Sequence, residues 1–232
     1  MALYVISDLH LPLGVNKPMD IFGKNWENYV ERLEENWKKM IQPEDVVVLP
    51  GDFSWAMYLE DAQADFAFLH KLPGEKYLLK GNHDYWWTTK NKLDTFIKEQ
   101  GYDDIHFLQN DTVLYKKIAL CGSRGWMCGE NMSPEDEKIY AREAGRLRLS
   151  LDAAKKQSVE EIFVFLHYPP MTPEFLETQF TKILEEYGVT TCAYGHLHAA
   201  GHKNAVTGTI RGVKYLLVSC DYLGFSPVKL CD

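Results

Sequence analysis

Short apolar runs, each ending in a cluster of polar residues, give this chain its layout. Residues 2–6, 46–49, 76–79, 162–166 and 189–194 read as strands. Between the first three, apolar positions recur at helical spacing. Trp26, Val30, Leu33, Trp37 and Met40 predict a helix over about 25–41, and Leu59, Ala62, Phe66 and Leu69 mark a second, ended by Pro73-Gly74. A third helix is expected over about 88–100, with Gly101 as its cap. This β-α-β-α-β order implies parallel strands joined by right-handed crossovers.

The middle of the chain changes character. Residues 105–108, 112–115 and 118–121 are short strands with tight turns, and we expect them to run antiparallel. Ser133-Pro134-Glu135-Asp136 is a helix start, with a serine cap, proline in the first turn and early acids. That helix is expected to reach about residue 156, with Arg142, Glu143, Arg146 and Arg148 as a solvated face. Residues 173–187 predict another helix. Residues 209–210, 214–219 and 228–230 predict an antiparallel end. Two long loops remain, 11–24 and 122–131; the first is a candidate rim for a pocket. No repeat or interdomain linker interrupts the pattern, so one domain with two sheets and outer helices is expected.

The chemistry sits where the apolar runs stop. Ser7-Asp8-Leu9-His10, Gly51-Asp52, Gly81-Asn82-His83-Asp84, His167 and Gly195-His196-Leu197-His198 each follow one. In open α/β sheets, ligands bind beyond the carboxyl ends of the strands, so five such clusters point to one site. Taken singly, each has a plainer reading. Turns collect Gly, Asn and Asp for conformational reasons, and a lone strand-end histidine is most often structural. Asp8 and His10, like His196 and His198, stand two residues apart; on extended backbone such side chains point the same way and can share an ion. With Asp52, Asn82 and His167 they make seven ligand-type groups. Seven is more than a tetrahedral zinc uses and suits two ions sharing a carboxylate. Mixed oxygen and imidazole donors favour Mn, Fe, Zn or Co over Mg or Ca alone; manganese is our choice for assay.

Composition narrows the setting. The chain has 232 residues, 46 % of them apolar, and a net charge of −8. That charge argues against a broad basic surface for long nucleic acid. No apolar run approaches the roughly 18 residues of a membrane span, and no signal-peptide pattern opens the sequence. The five cysteines include no Cys-x-x-Cys pair, which fits buried thiols in a reducing cytoplasm.

The ordered set Asp8-x-His10, Gly51-Asp52, Gly81-Asn82-His83-Asp84, His167 and Gly195-His196-x-His198 resembles the five-motif signature of calcineurin-like metallophosphoesterases, running from residue 7 to residue 198. The resemblance implies an α/β fold: two mixed β-sheets packed as a sandwich flanked by helices. It implies one divalent ion on Asp8, His10, Asp52 and His198, and a second on Asp52, Asn82, His167 and His196. A hydroxide bridging the two would attack a small phosphomonoester, phosphodiester or nucleotide. His83 would face the scissile phosphate as charge stabiliser or general acid, oriented by Asp84.

The chain departs from one branch of that family. Protein phosphatases carry Gly-Asp-x-x-Asp-Arg-Gly at the second motif; here it reads Gly51-Asp52-Phe53-Ser54-Trp55-Ala56-Met57, without the phosphate-binding arginine. Arg124 is a candidate substitute, and a plain surface arginine is an equal reading. Trp55, Tyr85, Trp86, Trp87, Tyr168 and Tyr222 crowd the motifs, either as packing or as a surface for an aryl group or base. His70, His106 and His202 lie outside the motifs. A non-catalytic scaffold on the same fold, as in a retromer subunit resembling this family, stays open, as does a single-metal hydrolase.

Overall fold

A computed structural model describes residues 1–19, 21, 23–129 and 132–232. Parts of both long loops, Asp20 and Phe22 in the first and Glu130 and Asn131 in the second, lie outside the described residues.

Two sheets face each other. The first has the order β11-β1-β2-β3-β4 and is built from β1 (Leu3–Val5), β2 (Val46–Pro50), β3 (Glu75–Leu79), β4 (Ile105–Phe107) and β11 (Val228–Cys231). The second has the order β5-β6-β7-β8-β10-β9, from β5 (Thr112–Tyr115), β6 (Ile118–Ser123), β7 (Glu161–Leu166), β8 (Thr191–Tyr194), β9 (Gly208–Ile210) and β10 (Val213–Leu217). Strand alternation explains why the layers stack. Leu3, Val5, Val48, Phe163 and Phe165 point inward and join the sheets, while Tyr4, Val47 and Leu49 turn out to the helices α1 (Tyr29–Met40), α2 (Gln63–His70) and α3 (Lys90–Gln100). On the other side Val164 and Leu166 pack under α4 (Pro134–Lys155) and α5 (Gln179–Glu186). The result is helix, sheet, sheet, helix, as expected.

Several expectations need correction. β4 is not antiparallel; it extends the first sheet parallel to β3, and only β5 against β6 runs antiparallel. β10 likewise lies parallel to β8, while β9 pairs β10 and β11 pairs β1 antiparallel. The first helix starts later than its apolar spacing suggests. Asn28 takes φ 48°, which separates a 3-10 turn at Lys24–Trp26 from α1. The 173–187 segment becomes helical only at α5, where Thr178 and Thr181 form a reciprocal cap. The α4 cap is as read: Ser133 accepts from the Asp136 amide. Its charged face is not all solvated, because Glu143 is completely buried.

Candidate metal centre

The carboxyl ends of β1, β2, β3, β7 and β8 meet, and the expected seven side chains come together there. His10 Nε2 lies 3.3 Å from His198 Nε2, and His196 Nδ1 lies 3.2 Å from His167 Nε2. Asn82 Oδ1 is 2.6 Å from His167 Nε2 and 2.9 Å from His196 Nδ1. Asp8 Oδ1 is 3.5 Å from His198 Nε2. Asp52 stands between the two groups, its Oδ2 lying 3.6 Å from His10 Nε2 and 3.5 Å from His167 Nε2.

The route to this convergence differs from the one expected. Asp8, His10, Asp52 and His196 all have positive φ, 61°, 45°, 51° and 73°. The paired side chains therefore do not converge from extended backbone; left-handed turns aim them. Non-glycine residues adopt this region at a cost of order 1–3 kcal/mol each, and such strain clusters at functional sites. Two glycines make the close approach possible. A Cβ at Gly81 would collide with the Asp52 side chain, and one at Gly195 with Ser7 and Asp8.

The donor set suits cations. Asp8, Asp52, His10 and His167 are buried, and Asp8, His10 and His198 form one group whose ligand atoms lie within 4.8 Å of one another; Asp8, Asp52 and His167 form a second. Ring nitrogens facing ring nitrogens at hydrogen-bond distance can share at most one proton per pair, whereas a cation between them satisfies both. The His10 Nδ1 is buried without a partner, so its hydrogen-bonding capacity is directed at the centre through Nε2 alone.

Electrostatics divide the cluster. Burial pushes His10 well below its ordinary value, His167 down to about 3 and His196 down to about 4, which leaves these rings neutral and free to ligate. Burial would depress His198 too, but hydrogen bonds that it donates to Asp221 and Asp8 hold it up at about 10. Burial would raise Asp8, yet the His198 hydrogen bond and charge keep it far below the carboxylate range. Asp52 is raised by burial and by the charges of Asp84 and Asp8. Bringing these like charges together is what an added cation offsets.

Asp221 is the residue the sequence reading missed. Its Oδ1 lies 2.8 Å from His198 Nδ1 and its Oδ2 accepts from the Ala199 amide, so His198 presents Nε2 to the centre. The Pro50 carbonyl does the same for His167 Nδ1 at 3.2 Å. Such outer partners fix the tautomer and orientation of a ligating histidine. His202 Nε2 lies 3.2 Å from the other Asp221 oxygen. The signal was available, since Asp221 also follows an apolar run.

Asp84 has a different task from the one expected. Its carboxylate accepts from the amides of Gly81, Asp52 and Phe53 at 2.7, 2.8 and 2.9 Å and from Trp86 Nε1 at 3.0 Å. None of its recorded bonds reaches His83. It locks the β2 and β3 loops together, and burial pushes it up to about 6 against those amides. His83 is held instead by its own amide, which donates to Asp52 Oδ1 at 2.7 Å. Its half-buried ring lies 4.6 Å from Trp55 and 5.6 Å from His10.

One cavity borders the centre, and a second lies at the neighbouring loops. The first, about 170 Å³, is mainly apolar; Met19, Trp26 and Trp55 line it with His10, His83 and His198. Trp55 stacks on His10 at 4.6 Å, and Lys17 Nζ sits 3.3 Å above the Trp55 ring. The first long loop contributes Met19 to this lining and Lys17 above the Trp55 ring. Arg124 lines the other cavity, about 180 Å³ and polar, together with Lys80 and Glu143.

Comparison with known proteins agrees with this fold. The chain superposes on a protein of unknown function, AQ665, from Aquifex aeolicus, with a TM-score of 0.51 and 18 % identity, covering 98 % of this chain and 95 % of that one. It matches the phosphopantetheinyl hydrolase PptH from Mycobacterium tuberculosis with a TM-score of 0.54 and 13 % identity, covering 94 % and 88 %. The protein TT1561 of Thermus thermophilus gives 0.53 and 14 %, covering 85 % and 83 %. At these identities the likeness is one of fold. No curated protein matches the sequence. Among the described residues no helix is long and apolar enough to cross a membrane. The family model for calcineurin-like phosphoesterases matches residues 1–200, and the chain belongs to that family.

Proposed function

We propose that the chain is a dinuclear metal-dependent phosphohydrolase acting on small phosphoesters or nucleotides, and that all of it forms one catalytic domain. The observation that carries this reading is the position of Asp52 Oδ2, within 3.6 Å of His10 Nε2 and 3.5 Å of His167 Nε2, as a shared ligand requires. Asp8, His10, Asp52 and His198 would hold one ion, and Asp52, Asn82, His167 and His196 the other. Bound there, divalent ions such as manganese supply Lewis acidity and lower the pKa of water.

The chain's own residues do the rest. Asp221 and the Pro50 carbonyl orient His198 and His167, and Asp84 fixes the loops that carry Asp52 and Asn82. His83, which lines the apolar cavity beside His10, would steady charge on the phosphoryl group or the leaving oxygen. The adjoining apolar cavity favours a small ester over a polymer, in keeping with the net charge of −8. The five free cysteines favour a cytoplasmic setting.

Turnover by manganese-loaded protein of para-nitrophenyl phosphate, compared with the matching diester, tests this. Hydrolysis of either supports the reading, and the preferred ester directs the search for the natural substrate. Failure on both, with both metals bound, overturns it in favour of a binding scaffold.

A further inference from the structure

The polar cavity beside the centre is built unlike a structural ion cluster. Glu143 is 0 % exposed, and its Oε1 takes every cation in reach: Arg146 Nη1 at 2.7 Å, Arg124 Nη2 at 3.4 Å and Arg142 Nε at 3.7 Å. Its Oε2 is equally buried and has no partner. Arginine–carboxylate pairs are frequently bidentate, and here the second oxygen is left over. Two other lining residues carry buried polar atoms without partners, Gln109 Oε1 and Arg124 Nε. Leaving such atoms unpaired costs about 1–3 kcal/mol each, and all three belong to residues that line one cavity.

The lining specifies its chemistry. Lys80, Arg124 and Arg146 line the cavity with the single carboxylate Glu143, an excess of positive charge. Gln109 Oε1 and Glu143 Oε2 are acceptors, which a bare phosphate dianion leaves unsatisfied. A fitting group is therefore an anion that also carries hydroxyl donors. The volume, about 180 Å³, is some six times the ~30 Å³ of a liquid water.

Two loops tie this cavity to the centre. Lys80 stands two residues before Asn82, and Trp87 follows His83 and Asp84 on the same loop. The Arg124 carbonyl accepts from the amides of His167 and Tyr168, and the Tyr168 ring lies 4.2 Å from that of His196. We propose that the cavity lined by Lys80, Arg124, Arg146, Gln109 and Glu143 is a subsite for the far end of the substrate, a hydroxylated acidic group such as the second phosphate end of a sugar bisphosphate. This rests on the hydrolytic reading above and adds the substrate class to it.

The probes are a hexose bisphosphate and inorganic phosphate, each titrated as inhibitors of para-nitrophenyl phosphate turnover by manganese-loaded protein. The hexose bisphosphate is expected to inhibit at least tenfold more tightly than phosphate. Arg146→Gln and Lys80→Gln should each remove most of that margin. Arg148→Gln should keep it; this control makes the same charge change on the same helix but removes a pair with Glu186. No margin in the unsubstituted protein, or a margin that survives both Arg146→Gln and Lys80→Gln, overturns the subsite. If the aryl phosphate is not turned over, calorimetric titration of the same two probes separates the claims. A margin that depends on Arg146 then keeps the subsite while the hydrolytic reading fails.

Discussion

The cavity that borders the candidate metal centre and the one at its neighbouring loops are close in volume, about 170 and 180 Å³, and opposite in chemistry. The first is walled by Met19, Trp26 and Trp55 and borders His10, His83 and His198 directly. The second is walled by charged residues and reaches the centre only through the loops that carry Asn82 and His167. The contrast separates tasks. Ligands and His83 can be judged by whether chemistry occurs at all, whereas the cavity walls decide which phosphoester is taken.

Asp52 belongs to neither side, and its loss has the largest expected effect. Asp52→Asn removes the carboxylate whose Oδ2 lies 3.6 Å from His10 Nε2 and 3.5 Å from His167 Nε2. Turnover should fall by at least about a thousandfold for every substrate, whichever cavity it favours, since a metal ion contributes several kcal/mol of transition-state stabilisation. Retained activity on any ester would break the division between centre and walls.

His83→Ala comes next. General acid–base or charge-stabilising contributions are typically about 10²–10⁴-fold, and the loss should appear in kcat with bound metal unchanged. Metal loss alongside it would make His83 a ligand instead.

Trp55→Ala sharpens the contrast between the walls. Trp55 packs on His10 and His83 and donates to Met19 Sδ at 2.9 Å. Opening this wall should raise KM for para-nitrophenyl phosphate several-fold more than for a hydroxylated phosphate, and lower stability by about 3–5 kcal/mol in a urea melt. An equal KM change for both substrates would remove the apolar cavity from recognition.

The smallest effect concerns how that apolar wall is anchored. Asp65 on α2 accepts from the Leu13 amide at 2.8 Å and from Ser54 Oγ, tying down the loop that leads to Met19. Burial pushes Asp65 up to about 7 against those two hydrogen bonds. Its folded pKa thus lies above its unfolded one, near 3.9. Between about pH 4 and 7 the native state holds a proton that the unfolded chain releases. The stability this supplies is present below that window and lost as pH rises through it. The Tm of Asp65→Asn, relative to the unsubstituted protein, should therefore rise across this window, by about 2–4 °C for each kcal/mol. A pH-independent difference would show that Asp65 is ionised throughout.

Much of this was legible because it is local. Strand runs, helix caps such as Ser133 and Gly101, and the polar clusters after each strand can be read within a few residues. The seven candidate ligands converge as expected, although left-handed turns at Asp8, His10, Asp52 and His196 aim them, which spacing alone does not reveal. What escaped depends on partners distant in sequence. β4 looked antiparallel because its neighbour β5 follows closely, yet β5 belongs to the other sheet. Glu143 sits in a charged run that reads as solvated until β6 is laid against it. Asp84 reads by sequence as a partner of His83 and Asp221 as one more acid after an apolar run; only the fold reveals which amides and which imidazole they serve.

The central claim is two ions sharing Asp52. Titrating metal-free protein with manganese, following bound ion by electron paramagnetic resonance and turnover of para-nitrophenyl phosphate together, tests it most directly. The account predicts two ions per chain, turnover that needs the second, and a spin-coupled pair that Asp52→Asn abolishes. Full turnover with a single bound ion would contradict it.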